Sequence, residues 1–116
     1  MHITIKRVYE TAAPGDGFRI LVDRLWPRGL SKEKARVDLW LKDIAPSDEL
    51  RRWFNHEEAK WPEFRRRYKE ELDAAPGALR EFREAAKGRT VVTLLYGAKD
   101  EQHNQAVVLR DYLNGA

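Results

Sequence analysis

The sequence predicts an α/β domain in which helices pack on a small, mainly parallel sheet. Two observations lead to this prediction. Short apolar segments rich in β-branched residues alternate along the chain with segments whose apolar residues recur every three or four positions. Residues 90–96 are almost continuously apolar, which is typical of a central parallel strand buried on both faces. The length of 116 residues suits one domain, taken as 1–116.

Three further strands are predicted in the N-terminal half. Residues 3–9 carry mostly alternating apolar side chains and end at the turn-prone stretch 12–17. Within residues 18–26, Ile20, Leu21 and Val22 follow one another, which suits a second strand that is buried on both faces and ends near Val22. The alternating segment 37–41 predicts another strand.

The helices are predicted from caps and apolar spacing. Ser31 and Ser47 are expected N-caps of two short helices. Longer amphipathic helices are predicted from residue 61, from residue 76 to a stop at Gly88, and across residues 106–113. Three tryptophans have core spacing and are expected to be buried: Trp40, Trp53 and Trp61.

Composition excludes several classes of function. The chain has no cysteine, which removes disulfides, thiolate metal sites and cysteine nucleophiles. It has 22 Lys and Arg against 19 Asp and Glu, so the net charge of +3 gives only weak attraction to polyanions. No run is long and apolar enough to span a membrane, and the start has no signal-peptide order. We expect a cytoplasmic protein with no membrane partner.

Familiar cofactor and metal motifs are not found. Gly15 and Gly17 lack the third glycine of a dinucleotide fingerprint, and no Walker lysine motif or serine elbow occurs. His56 is followed by Glu57, but Lys60 stands where a zinc protease has its second histidine. We therefore expect no metal site and no cofactor.

Polar side chains gather where two buried strands end. In an open α/β sheet, ligands bind beyond the carboxyl ends of the strands, so the two groups converge if their strands are neighbours. The first group of polar residues follows Val22 at the end of one predicted strand, and the second group follows residue 96 at the end of another. Lys42 and Tyr96 lie at strand ends themselves. The candidate binding residues are Arg24, Trp26, Arg28, Lys42, Tyr96, Lys99 and Asn104, and the candidate catalytic residues are Asp23, Asp100 and His103.

These residue types suit an anionic ligand. Arg24, Arg28 and Lys99 are able to hold a phosphate or carboxylate, while Asp23, Asp100 or His103 is able to transfer a proton. Structural interpretations stand beside these roles. Asp23 would merely pair with an arginine and Asp100 would merely cap the last helix. Trp26 either stacks on a ligand or packs as a hinge on the core.

Two long motifs resemble a known family. Residues 22–29, Val-Asp-Arg-Leu-Trp-Pro-Arg-Gly, and residues 94–100, Leu-Leu-Tyr-Gly-Ala-Lys-Asp, followed by His103 and Asn104, are similar to the YeaO-like branch of domain of unknown function 488. The resemblance implies a Rossmann-like sheet and cytoplasmic proteins without an established activity. Other members of the wider family carry Asp-Val-Arg and Cys-His-Arg stretches. Here Asp23-Arg24-Leu25 and Gln102-His103-Asn104 stand in those places, so the second stretch keeps only its histidine.

Three functions are compatible with these patterns. The first is an enzyme, a hydrolase or group transferase, that acts on a small anionic, nucleotide-like substrate. The second is a non-catalytic module that binds an anion, a metabolite or nucleic acid in the same cleft. The third is an interaction protein with an exposed apolar patch. For the arginine run 65–67, nearby glutamates favour a solvated helix face over a nucleic-acid contact.

Overall fold

A computed structural model describes residues 1–115 and contains a four-stranded parallel sheet with helices packed around it. The strands lie in the order β1-β4-β2-β3. They are β1 (His2–Arg7), β2 (Phe18–Leu21), β3 (Leu39–Trp40) and β4 (Val91–Tyr96). The helices are α1 (Lys32–Ala35), α2 (Asp48–Phe54), α3 (Trp61–Asp73), α4 (Pro76–Ala86) and α5 (Gln105–Leu113). The predicted small, parallel α/β fold is confirmed.

Alternating side chains of the central strands build two cores. Ile20 and Leu94 point into the larger core, which the apolar faces of α2 to α5 cover. Leu21 and Leu95 belong to a smaller core on the opposite face, where Ala35 of α1 closes over them. All four strand residues are fully buried, which explains the continuous apolar runs in the sequence.

The predicted caps form in the structure. Ser31 Oγ accepts a hydrogen bond from the backbone N–H of Lys34, and Ser47 Oγ accepts one from Leu50. Each bond satisfies one of the backbone donors that have no partner within the first helical turn. Ser47 also donates from its hydroxyl to Glu71 Oε2 at 2.6 Å, which ties the start of α2 to α3.

Two strands are shorter than predicted. The strand predicted across residues 37–41 pairs with β2 at Leu39 and Trp40, and backbone hydrogen bonds from Asp38 to Arg19 and from Leu41 to Leu21 flank that pairing. At its N-terminal side, Asp38 Oδ2 accepts the backbone N–H of Arg19. A side chain thus replaces one rung of the ladder. The strand predicted from Phe18 ends at Leu21, and the chain beyond Val22 turns into the loop that carries Asp23.

The three tryptophans that were expected to be buried, Trp40, Trp53 and Trp61, do pack against the cores but are only half-buried. Two of these rings have a cation over one face. Lys42 Nζ lies 4.3 Å from the Trp40 ring centroid, and the Arg67 guanidinium lies 4.3 Å from that of Trp53. Apolar spacing predicts which side of a helix or strand faces the core. It does not predict how much of a large indole ring stays exposed at the edge of that core.

The arginine run of α3 forms a solvated helix face, as predicted. Arg66 and Arg67 both donate to Glu63, and Arg66 also pairs with Glu70. These contacts hold the pKa of Glu63 near 2, chiefly through the hydrogen bonds from Arg66. The α3 helix has 13 residues, and across residues 1–115 no helix is long and apolar enough to cross a membrane.

Candidate functional site

A cavity of about 290 Å³ opens beyond the carboxyl ends of β2 and β4. These two strands are hydrogen-bonded neighbours, as the convergence of the two polar groups requires. The loop after β2, the loop after β4, the C-terminal end of α2 and the first turn of α5 surround the cavity. Six residues of the sequence-predicted set line it: Asp23, Arg24, Trp26, Arg28, His103 and Asn104.

Asp23 is held by bonds at both carboxylate oxygens. Its Oδ2 accepts the backbone N–H of Gly97 at 2.9 Å, and its Oδ1 accepts Nε2 of Gln105 in the first turn of α5. Its backbone carbonyl accepts the indole N–H of Trp40 at 2.7 Å. Asp23 therefore joins the ends of three strands to α5, and its bonds are not the simple arginine pair that its sequence neighbourhood suggested.

Burial changes the acidity of Asp23. Loss of solvent raises the pKa of its carboxyl to about 6, and this effect exceeds the opposing one of the hydrogen bonds from Gly97 and Gln105. The positive charge of Arg51 also opposes it. A carboxyl with such a pKa changes its charge close to neutral pH, which makes it a chemically responsive group in the cleft.

Gly97 allows the backbone to approach Asp23 closely. A Cβ atom at this position would lie 2.9 Å from Asp23 Oδ2, closer than such atoms normally come. The missing side chain therefore permits the hydrogen bond from the Gly97 amide to the carboxylate. This contact gives a physical reason for the glycine in the motif Tyr96-Gly97-Ala98.

The guanidinium of Arg24 is engaged by backbone carbonyls. Its Nε donates to the Pro46 carbonyl at 2.9 Å and its Nη2 to the Ala45 carbonyl at 3.0 Å. These bonds attach the loop after β2 to the start of α2. Arg24 thus contributes positive charge to the cavity wall while two of its nitrogens hold the loop.

Trp26 supports the same loop. Its indole N–H donates to the Leu30 carbonyl at 2.7 Å, and its ring meets Trp40 edge-on with the centroids 5.4 Å apart. Tyr9 fastens the loop further by donating from its hydroxyl to the Arg28 carbonyl at 2.9 Å. Trp26 therefore packs on the smaller core, as one interpretation predicted, and it also lines the cavity, where stacking on a ligand stays a prediction.

His103 and Asp100 form a hydrogen-bonded pair before α5. His103 Nδ1 lies 2.9 Å from Asp100 Oδ2, while the second oxygen of Asp100 accepts the backbone N–H groups of Gln102 and His103. These bonds, with that of Gln102 first, hold the pKa of Asp100 below its usual value. The imidazole also meets Trp61 edge-on at 5.2 Å. Asp100 thus orders the turn that aims His103 at the cavity.

Asn104, and not Asp100, is the N-cap of α5. Its side-chain oxygen accepts the backbone N–H of Val107 at 3.2 Å, and its amide donates to the Asp100 carbonyl at 2.9 Å. Asn104 is buried. The cap places the positive end of the α5 dipole at the cavity, which favours an anion there.

Four predicted residues lie apart from the cavity lining. Lys99 and Asp100 are exposed on the loop after β4. Lys42 is exposed and covers Trp40. Tyr96 is buried at the end of β4, and burial raises the pKa of its hydroxyl.

Sequence reasoning missed several lining residues. Gln105 and Gly97 contact Asp23, and the α2 side supplies Arg51, Phe54 and His56. His56 has a φ of 55°, and the preceding Asn55 a φ of 46°, so the chain leaves α2 through two left-handed residues. The one sequence signal for Gln105 was its position directly after Asn104, which had been predicted as a binding residue.

The charged groups around the cavity favour a negative ligand. Arg24, Arg28 and Arg51 oppose the single carboxylate of Asp23. Aromatic side chains of Tyr9, Trp26, Phe54 and Phe64 supply apolar wall. Within residues 1–115, no group of three histidine or acidic side chains is arranged to hold a metal ion.

Residues 2–116 match the family model described as the inactive DUF488-N3 subclade. An uncharacterised protein of Mycobacterium tuberculosis (strain H37Rv) is 46% identical over 114 residues, which cover 97% of this chain and 94% of that protein. The uncharacterised protein YeaO of Escherichia coli K12 is 45% identical over 113 residues, which cover 97% of each chain. No solved structure matches the chain.

Proposed function

This chain belongs to the YeaO-like DUF488 family, in the branch described as the inactive DUF488-N3 subclade, and from that premise we propose that it binds a small, nucleotide-like anion without catalysis. The supporting observation is one cavity whose lining contains three arginines, one carboxylate and several aromatic rings. Its volume of about 290 Å³ lies at the lower end of the range for small-molecule sites. A cytoplasmic location, expected from the sequence, is part of the proposal.

The anion would contact the arginines whose guanidinium groups make the fewest hydrogen bonds to the rest of the described chain. Arg24 is occupied by two carbonyls, whereas Arg28 and Arg51 are exposed at the cavity. The only bond to the Arg51 guanidinium within the described part of the chain is a 3.4 Å contact with Asp48. Guanidinium groups suit phosphate and carboxylate because they donate two parallel hydrogen bonds. The aromatic walls would cover the apolar body of the same ligand.

Binding without turnover is supported by the position of Asp23 in the fold. Both oxygens of its carboxylate already accept a hydrogen bond from the protein, so the group ties the loop after β2 to Gly97 and Gln105. The cysteine and arginine of the wider family's second stretch are replaced here by Gln102 and Asn104. The description of the subclade as inactive agrees with that replacement.

One observation favours a second candidate, a hydrolase or group transferase. The carboxyl of Asp23, with its pKa near 6, is suited to exchange a proton at neutral pH. In such an enzyme Asp23→Asn would abolish turnover and leave ligand affinity largely unchanged. A nucleic-acid partner has less support, because the arginines of α3 are paired with glutamates.

Calorimetric titration tests the binding proposal. The probes are AMP, GMP, CMP and UMP, with the matching nucleosides and inorganic phosphate as comparisons. We expect the monophosphates to bind more tightly than the nucleosides, and the affinity to fall as salt rises. Arg28→Gln and Arg51→Gln should each weaken binding about 10-fold or more, because each removes a charge-assisted hydrogen bond.

The matched control is Arg80→Gln, which removes the same charge from an exposed site on α4 away from the cavity. It should leave the affinity unchanged. Equal binding of nucleosides and nucleotides, or equal losses in all three variants, would contradict an anion site in the cleft. Release of base, sugar or phosphate from a bound probe, abolished by Asp23→Asn, would replace the binding module with the enzyme.

A further inference from the structure

Building on the proposed function, we propose that Asp23 selects the base of the ligand and that the cleft takes a nucleoside monophosphate whose base presents two adjacent N–H donors. Guanine, with N1–H beside its 2-amino group, is the common base of this kind. Asp23 would then be a specificity-determining residue at the inner end of the ligand, while Arg28 and Arg51 hold its anionic end.

The hydrogen-bond count at Asp23 leaves two acceptor positions. An ionised carboxylate has about four lone-pair sites, two on each oxygen. The amide of Gly97 takes one site on Oδ2, and the side chain of Gln105 takes one on Oδ1. Each oxygen therefore retains one site. Two parallel acceptors match a pair of parallel N–H donors, the arrangement that makes bidentate contacts strong.

The carboxylate is fixed before any ligand arrives. Gly97 holds it from β4 and Gln105 from α5, while Trp40 of β3 fixes the backbone of Asp23. A Cβ at position 97 would collide with Asp23 Oδ2, so the contact between the Gly97 amide and this oxygen requires glycine. An acceptor pair that is already ordered loses little conformational freedom on binding.

Partial burial of Asp23 should make the site discriminate strongly between bases. Asp23 has lost much of its solvent, so a ligand that covers it without donating hydrogen bonds leaves charged acceptors unsatisfied. Adenine would offer one donor beside an acceptor, and hypoxanthine would offer one donor only. A site built to bind a donor rejects an analogue that lacks it far more strongly than an apolar wall rejects a change of shape.

The rest of the cavity fits such a ligand. Trp26 and Phe54 line the same cavity as the half-buried carboxylate and the exposed arginines. A purine base is flat and stacks on such rings. The lining thus offers a carboxylate for the N–H donors of a base and exposed arginines for a phosphate.

The test compares GMP, IMP and AMP on the intact wild-type protein by calorimetry. IMP differs from GMP only by the 2-amino group. We expect GMP to bind about 10 to 100 times more tightly than IMP, since one hydrogen bond to a charged group is lost, and AMP to bind most weakly. This comparison requires no variant and so does not depend on the folding of a mutant.

A variant tests the residue itself. Asp23→Asn presents one acceptor and one donor, so the preference for GMP over IMP should disappear and XMP, which offers an N–H beside a carbonyl, should gain relative to GMP. Asp43→Asn removes an exposed carboxylate outside this cavity and should leave the preference intact.

The outcomes separate the two proposals. Equal affinity for GMP, IMP and AMP, with a dependence on Arg28 and Arg51, would overturn base selection by Asp23 and leave the anion site standing. A preference for GMP that survives Asp23→Asn in a folded protein would also overturn it. No binding of any nucleotide would overturn both.

Discussion

Asp23→Asn should change the pH dependence of stability as well as ligand preference. In the folded protein, burial raises the pKa of the Asp23 carboxyl from 3.8 to about 6, against the opposing effects of the Gly97 amide, the Gln105 side chain and the charge of Arg51. Asparagine has a similar shape and does not titrate. The substitution therefore removes the cost of burying a negative charge.

The sign and size follow from linkage between proton binding and folding. Between about pH 4 and pH 6 the folded protein binds a proton at Asp23 that the unfolded chain has released, so rising pH favours unfolding. The shift of about 2 pKa units corresponds to about 3 kcal/mol at 25 °C. This cost is absent below about pH 3 and fully present above about pH 7. The Asp23→Asn variant does not carry this cost, because asparagine has no charge.

Urea unfolding measured from pH 4 to pH 8 tests this reasoning. We expect the free energy of unfolding of Asp23→Asn, relative to wild type, to rise by about 2.5 kcal/mol across that range. Asp43→Asn controls for the loss of one carboxylate at an exposed position. A difference between Asp23→Asn and wild type that stays constant from pH 4 to pH 8 would refute the assignment of a buried, titrating carboxyl.

Two glycine substitutions test the close backbone approaches. Gly97→Ala should displace the Asp23 carboxylate, weaken nucleotide binding, and lower stability by about 1 to 3 kcal/mol through a lost charged hydrogen bond, all measurable by calorimetry and thermal unfolding. Gly17→Ala should lower stability by more than about 2 kcal/mol, because its φ is 64° and the new Cβ would collide with the Val91 carbonyl oxygen. Gly15→Ala, with nothing within 4 Å of its Cβ, is the matched control, and an equal loss there would contradict the steric explanation.

The fold was largely predictable because local signals agreed with one another. The apolar run 90–96 marked the central strand, and the serines at 31 and 47 marked two helix starts that the structure confirms. The sequence did not reveal the two-residue length of β3. Near its start, Asp38 Oδ2 accepts the Arg19 amide, a contact between residues 19 positions apart that the local pattern does not show. The exposed edges of the tryptophan rings likewise depend on tertiary packing.

The site was predictable in position and only partly in composition. Placement after two neighbouring strands brought Asp23 and His103 to one cavity. It did not separate Arg24, whose nitrogens bind loop carbonyls, from Arg28, which is exposed. Arg51 was missed because it approaches from a helix that is distant in sequence. Lys42 and Lys99 have the expected charge and follow the expected strands, yet they lie outside the cavity lining.

The sharpest measurement is a titration of the 15N-labelled protein with GMP or AMP, followed through its amide and arginine side-chain resonances. Binding in the cleft predicts the largest shifts at Gly97 and Gln105 and at the guanidinium groups of Arg28 and Arg51, with α4 unaffected. Saturation by either nucleotide with the shifts confined to these groups would support the cleft as an anion site. Unchanged spectra at millimolar nucleotide, or shifts centred on another surface, would contradict it.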